Sequence, residues 1–176
     1  MAGQSASKSL QIAVLTVSDT RTEADDASGD LLCGRLANAG HTLVERAMEI
    51  DDMYRIRARV SVWIADPGID AILATGGTGF SDRDSTPEAL LPLFDKTIDG
   101  FGELFRQVSL AQIGSSTIQS RAVGGLANGT LIFALPGSAN ACRTGWDEIL
   151  KFQLDADFKP CNFAELIPRF GQRQSA

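Results

Sequence analysis

Residues 72–90 read ILATGGTGFSDRDSTPEAL. A short apolar run, Asp70 to Thr75, meets Gly76-Gly77-Thr78-Gly79, then an acidic loop, then a helix start. The run is apolar throughout, without period-two alternation, which predicts a central strand covered on both faces of a parallel sheet. Gly76, Gly77 and Gly79 have no Cβ, so this backbone can adopt positive φ and bring N–H groups against a ligand oxygen. Thr75 and Thr78 add hydroxyl donors. Ser85 or Thr86 is placed to cap the helix, with Pro87 in its first turn and Glu88 completing a capping box with Ser85. A helix N-terminus beside free amides favours phosphate. Asp82 and Asp84 would repel that phosphate unless a cation stands between them, and Mg²⁺ with its oxygen ligands is the expected one. The same residues also read as a plain strand-to-helix connection with solvated loop charges. This is neither a Walker A loop, since no Gly-Lys-Ser/Thr follows, nor a dinucleotide fingerprint, since the glycine spacing differs.

Outward from this stretch, QIAVLTV at residues 11–17 predicts a first buried strand. Ala27 to Ala39 has helical spacing at Leu31, Leu32 and Leu36, with Gly40 placed to end it. His41 to Ile50 reads as a second strand. Asp51 or Asp52 caps a helix whose Met53, Ile56, Val60, Trp63 and Ile64 share a face, and Pro67-Gly68 ends it. The β-α-β-α-β order implies a parallel sheet with right-handed crossovers, and a ligand beyond the carboxyl ends of its strands. Ser18, Asp19, Asp51 and the Gly76 to Asp84 loop converge there. Gly100 to Leu110 reads as a helix. Arg121 to Leu126 and Thr130 to Leu135 read as a hairpin about Asn128-Gly129, which makes the sheet mixed. Pro136-Gly137-Ser138 then opens another helix, to about Leu154, which reads either as a second ligand-facing strand-to-glycine-to-helix loop or as an ordinary β-α connection. Residues 155–176 read as an irregular tail with a short helical turn near Phe163 to Ile167.

At 176 residues and 44% hydrophobic, the chain fits one globular domain with a sizeable core. No segment has the apolar core of a secretory signal or approaches the roughly 18 residues of a membrane span, so a cytoplasmic protein is expected. A net charge of −6 disfavours nucleic acid, since no basic stripe can displace counterions from a phosphate backbone. Arg55, Arg57 and Arg59 read as a solvated helix face. Cys33, Cys142 and Cys161 form no C-x-x-C pair, so buried thiols are expected rather than disulfides or zinc. His41 is the only histidine, which excludes a multi-histidine metal site and reads as structural.

With TGGTGFSDRDSTPEAL, GFGELFR (residues 100–106), QSRAVGGLAN (119–128) and LPGSANACRTGWDEIL (135–150) in view, residues 10–163 resemble the MoaB/MogA family of molybdenum cofactor biosynthesis proteins. PEALLPLFD, QSRAVGGLAN and ACRTGW are similar to its MoaB branch. The resemblance implies a three-layer α/β/α sandwich with a mostly parallel mixed sheet, flanked by a flexible N-terminus (1–9) and a C-terminal tail (164–176). It implies trimers or hexamers. It also implies binding of molybdopterin, a pterin dithiolene with a terminal phosphate, and its adenylylation by Mg²⁺-ATP to adenylyl-molybdopterin and pyrophosphate.

Under that resemblance Asp51 and Asp84 are the expected catalytic and metal residues. Ser18, Asp19, Thr75, Gly76, Gly77, Thr78, Gly79, Ser81, Glu103, Ser109, Ser120, Arg121, Pro136, Gly137 and Ser138 are the expected substrate and nucleotide contacts, with Arg106 a further candidate. The alternatives are a non-catalytic molybdopterin-binding or assembly protein of the same pathway, and a generic nucleotide-binding regulator.

Overall fold

The sheet that organises the chain runs β2-β1-β3-β6-β5-β4. The computed structural model describes residues 8–170; residues 1–7 and 171–176, which hold most of the expected flexible N-terminus and half of the expected tail, lie outside the described residues. The strands are β1 (Gln11–Val17), β2 (Thr42–Glu49), β3 (Ala71–Thr75), β4 (Lys96–Thr97), β5 (Val123–Ala127) and β6 (Thr130–Leu135). β2, β1, β3 and β6 are mutually parallel, and β5 pairs antiparallel with both β6 and β4. The hairpin is therefore not the edge. Two-residue β4, too short for a periodic signal, is added outside it.

Apolar runs become two-faced strands in the expected way. Ile12, Val14, Ala71, Leu73, Leu131 and Phe133 point to one core, while Ala13, Leu15, Ile72, Ala74, Ile132 and Ala134 point to the other. The first core is closed by α1 (Ala27–Asn38), α4 (Asp99–Ile113) and α5 (Ala139–Gly145). The second is closed by α2 (Met53–Ala65) and the short α3 (Thr86–Leu90). This is the three-layer α/β/α sandwich that the resemblance implied. α5 continues through a π-helical turn, Trp146–Leu150, into α6 (Lys151–Gln153). Among the described residues, no helix is long and apolar enough to cross a membrane.

Local signals were met with some corrections. Gly40, at φ +84°, ends α1. Asn128 and Gly129 both have positive φ, as a tight hairpin turn requires. Asp52, not Asp51, caps α2, its Oδ1 accepting the N–H groups of Tyr54 and Arg55. The expected Ser85–Glu88 capping box does not form: the Ser85 hydroxyl donates to Asp51, and Glu88 pairs with Arg121. Cys142 is buried, but Cys33 is half-buried and Cys161 exposed, so burial is not general to the thiols. His41 is buried and accepts the Leu10 N–H at Nδ1, the structural role expected of it. Arg55 and Arg59 pair with Glu49 and Glu45, and Arg57 donates to carbonyls of α3. Trp63 and Trp146 belong to the cores, and Phe152 lies against Phe158 at the surface. The tail is tied down by Ala164 in the first core, with the last helical turn at Ile167–Arg169, slightly beyond the expected place.

Candidate functional site

The chain leaves β1 for α1 on one face and β2 for α2 on the other, so the strand order reverses between β1 and β3. Loops diverge at such a switch point and leave a crevice beyond the strand ends. Here it is a cavity of about 690 Å³, lined by the ends of β1 and β3, the acidic loop, the β6–α5 turn and one side of α4.

Fourteen of the expected residues line this cavity: Ser18, Asp19, Asp51, Gly76, Gly77, Thr78, Gly79, Ser81, Asp84, Ser109, Ser120, Pro136, Gly137 and Ser138. Three expected contacts do not. Thr75 is fully buried beneath the loop, its hydroxyl donating to the Pro136 carbonyl oxygen at 3.0 Å. Glu103 and Arg121 face a second cavity, of about 560 Å³, behind the acidic loop, as does Arg106. Asp82, paired with Asp84 in the sequence reading, is exposed and outside the lining.

The glycine turn is shaped by two positive φ values, +100° at Gly76 and +63° at Gly77. Gly79 does not share them; it is small for another reason, because a Cβ there would stand 2.7 Å from Asp84 Oδ2. The amide of Gly76 is not free for a ligand, since it donates to the Leu135 carbonyl oxygen at 3.0 Å. The carbonyl oxygens of Gly76 and Gly77 accept from Thr86 Oγ1 (2.8 Å) and Thr86 N–H (2.9 Å). Peptide planarity then turns the N–H groups of Gly77 and Thr78 away from Thr86. Opposite them, Ser138 caps α5 by accepting the Ala141 N–H at 3.1 Å, which brings a second helix N-terminus to the cavity.

Three carboxylates stand around these amides in different electrostatic states. Asp51 Oδ1 accepts both the Ser85 N–H (3.0 Å) and hydroxyl (2.7 Å). Burial pushes the Asp51 carboxyl up, Ser85 opposes this, and the charges of Asp84 and Asp19 add to it. No ion pair among the described residues includes Asp51. Burial also raises Asp84, but it is outweighed by hydrogen bonds from Ser81 and the Gly79 N–H, which hold this carboxyl below the usual range. Ser81 donates twice to Asp84 Oδ2, from N–H (2.7 Å) and Oγ (2.6 Å). Asp19 is held low by the Arg83 guanidinium, which grips it in a fork at 2.8 and 2.9 Å, and it also accepts the Asp51 N–H. A partly desolvated, unpaired carboxylate beside two others is a cation-seeking arrangement. Mg²⁺ is usually held by one or two carboxylates, with waters and substrate phosphates completing its shell. Asp51 Oδ2 and Asp84 Oδ1 suit it, each having its other oxygen occupied by serine donors.

Sequence reasoning missed part of the wall. Arg83 lies inside the same motif between Asp82 and Asp84, whose opposite charges leave no local sign that it lines the cavity and grips Asp19. Arg21 donates to the Gly137 carbonyl oxygen at 2.8 Å, joining the β1 end to the β6 turn across 116 positions. Gln112, Ser116, Gln119, Asn140 and Thr144 supply a neutral polar side. Gln112 Oε1 accepts from Asn140 Nδ2 (3.0 Å) and Thr144 Oγ1 (3.2 Å). In sequence these positions look like ordinary solvated helix and loop residues, and nothing local distinguishes them.

Residues 13–156 match the family described as "Probable molybdopterin binding domain". The chain is 55% identical over 153 residues to molybdenum cofactor biosynthesis protein B of Escherichia coli K12, covering 87% of this chain and 90% of that one. Among solved structures, one of molybdenum cofactor biosynthesis protein B superposes with a TM-score of 0.85 at 37% identity, over 94% of this chain and 98% of the other. The tungsten cofactor synthesizing protein MoaB of Pyrococcus furiosus gives 0.75 at 36% identity, over 82% and 92%. The chain belongs to the MoaB/MogA family of molybdenum cofactor biosynthesis proteins, on its MoaB side.

Proposed function

We propose that this cleft binds molybdopterin and Mg²⁺-ATP and joins them, forming adenylyl-molybdopterin and pyrophosphate. The observation that carries the reading is the unpaired Asp51 carboxylate, set with Asp84 beside the Gly77 and Thr78 amides at the sheet's switch point. A terminal phosphate oxygen of molybdopterin attacks the α-phosphorus of ATP, and the bond to the pyrophosphate oxygen breaks. The nucleophile comes from the substrate, so the protein has no covalent step to perform. Its residues orient two anions that repel each other and offset that repulsion by several kcal/mol through fixed donors. Asp51 and Asp84 would hold Mg²⁺, which when bound neutralises phosphate charge. The amides of Gly77 and Thr78 and the cations Arg21 and Arg83 supply the protein's own positive field, and the neutral amide and hydroxyl wall from Gln112 to Thr144 offers paired donors and acceptors.

Incubation of purified protein with molybdopterin, ATP and Mg²⁺ should yield adenylyl-molybdopterin and pyrophosphate. Bound molybdopterin and ATP with no product would reject the transfer reaction. A non-catalytic molybdopterin carrier is the second reading. It is favoured by the engagement of Asp19 with Arg83, which takes one of the three carboxylates out of reach of a cation. It predicts molybdopterin binding by calorimetry with ATP unbound or unconsumed. Assembly as trimers or hexamers belongs to the same proposal, and sedimentation distinguishes them.

A further inference from the structure

Arg121 was expected to touch the ligand, yet it stands behind the acidic loop, on the wall of the second cavity. Its guanidinium spends every nitrogen on that loop and the helix that follows it. Nε donates to the Gly79 carbonyl oxygen (2.7 Å), Nη2 to the Asp84 carbonyl oxygen (2.9 Å), and Nη1 to the Glu88 carboxylate at the start of α3. The charge also lies over the Phe80 ring, 5.1 Å from its centroid. One side chain on the approach to β5 therefore clasps both ends of the segment between Gly79 and Asp84. The Asp84–Ser85 peptide gives the clasp a second consequence. Its carbonyl oxygen accepts from Arg121, while its N–H donates to Asp51 Oδ1 at 3.0 Å. Because the two groups of a trans peptide point in opposite directions, Arg121 and Asp51 grip opposite edges of one plane.

We propose that Arg121 is a positioning residue: through the Gly79 and Asp84 carbonyls it fixes the acidic loop and, across the Asp84–Ser85 peptide, the orientation of Asp51. Holding the two carbonyl oxygens on the far side also keeps their negative ends out of an anion site. The planar fork is what allows one cation to reach three acceptors, and a lysine ammonium on a flexible stem does not reproduce it.

The test compares Arg121→Gln and Arg121→Lys with the unsubstituted protein by amide hydrogen exchange and by steady-state kinetics. Exchange at residues 80–85 should speed up by about tenfold or more in Arg121→Gln, and less in Arg121→Lys, with β1 and β3 unchanged. The kinetic arm rests on the adenylyl-transfer reading. There kcat should fall by about tenfold with KM for ATP within about twofold, because the groups remain present but misplaced. Exchange that is unchanged at 80–85, or that rises equally in β1 and β3, overturns the proposal. Arg121→Lys keeps the half-buried charge and so gives the same reading if Arg121→Gln does not fold. If the unsubstituted protein makes no product, the transfer reading alone fails, and the exchange pattern still decides the role of Arg121.

Discussion

Replacing Gly77 by alanine tests the glycine turn as a close-approach device and not merely a flexible link. Gly77 sits at φ +63°, where an L-residue costs about 1–2 kcal/mol. The added methyl carbon would lie 2.5 Å from Asp51 Oδ2 and 3.1 Å from Asp51 Cγ, and against Thr86 Oγ1. Neither neighbour is a loose surface group: Asp51 is held by Ser85, and the Thr86 hydroxyl is held by the Gly76 carbonyl oxygen. Crowding of this kind costs about 1–3 kcal/mol more. A combined loss of about 3 kcal/mol corresponds to a fall in Tm of about 6–12 °C for a domain of this size. Thermal unfolding followed by circular dichroism measures it, with calorimetric titration of Mg²⁺-ATP beside it. Relief of the clash by swinging Asp51 away spares part of the stability but removes ligand binding, so the two readouts trade against each other. A variant that keeps both Tm and affinity would refute the close-approach reading.

Gly34 is the opposite case, exposed within α1 with nothing within 4 Å of an added Cβ; Gly34→Ala should stabilise by about 0.5–1 kcal/mol, seen as a small rise in Tm. Asp84→Asn should abolish most product formation in the adenylylation assay while leaving the far-ultraviolet spectrum and cooperative unfolding intact, since it removes charge from a half-buried loop and no core area; undiminished turnover would remove Asp84 from the chemistry. Burial pushes the His41 imidazole below its usual range, so the unfolded chain binds a proton that the folded one refuses, and stability should fall as pH drops below about 6.5; His41→Gln should flatten the Tm profile there, and an unchanged slope would contradict this. Burial raises Asp26, but hydrogen bonds from Thr16 and Arg46 outweigh it and hold this carboxyl low. Its contribution is present above about pH 3.9 and is lost on further acidification, so Asp26→Asn should remove that acid limb while lowering stability at pH 7, as acid unfolding monitored by fluorescence will show.

Chain-local physics made much of this molecule legible from its sequence. Unbroken apolar runs at β1, β3 and β6 can be buried on two faces only between helical layers, and the helical periods between them supply those layers. Asn128-Gly129 permits a turn that few other pairs allow. The same locality made Gly76 and Gly77 recognisable, because their conformations are set by the missing Cβ. The tertiary structure decided which polar groups those elements bring together. Ser85 could cap its own helix or serve Asp51 from 34 positions away, and only the packed loop settles that in favour of Asp51. Arg121 carried the same charge in either role, yet its place behind the loop depends on how β5 meets α3. Thr75 belongs to the motif and still lies sealed beneath it. Propensity and patterning act over a few residues and fix where strands, helices and turns lie. Hydrogen bonds and charge pairs join groups from unrelated segments, so their partners are defined only once the sheet order has been set.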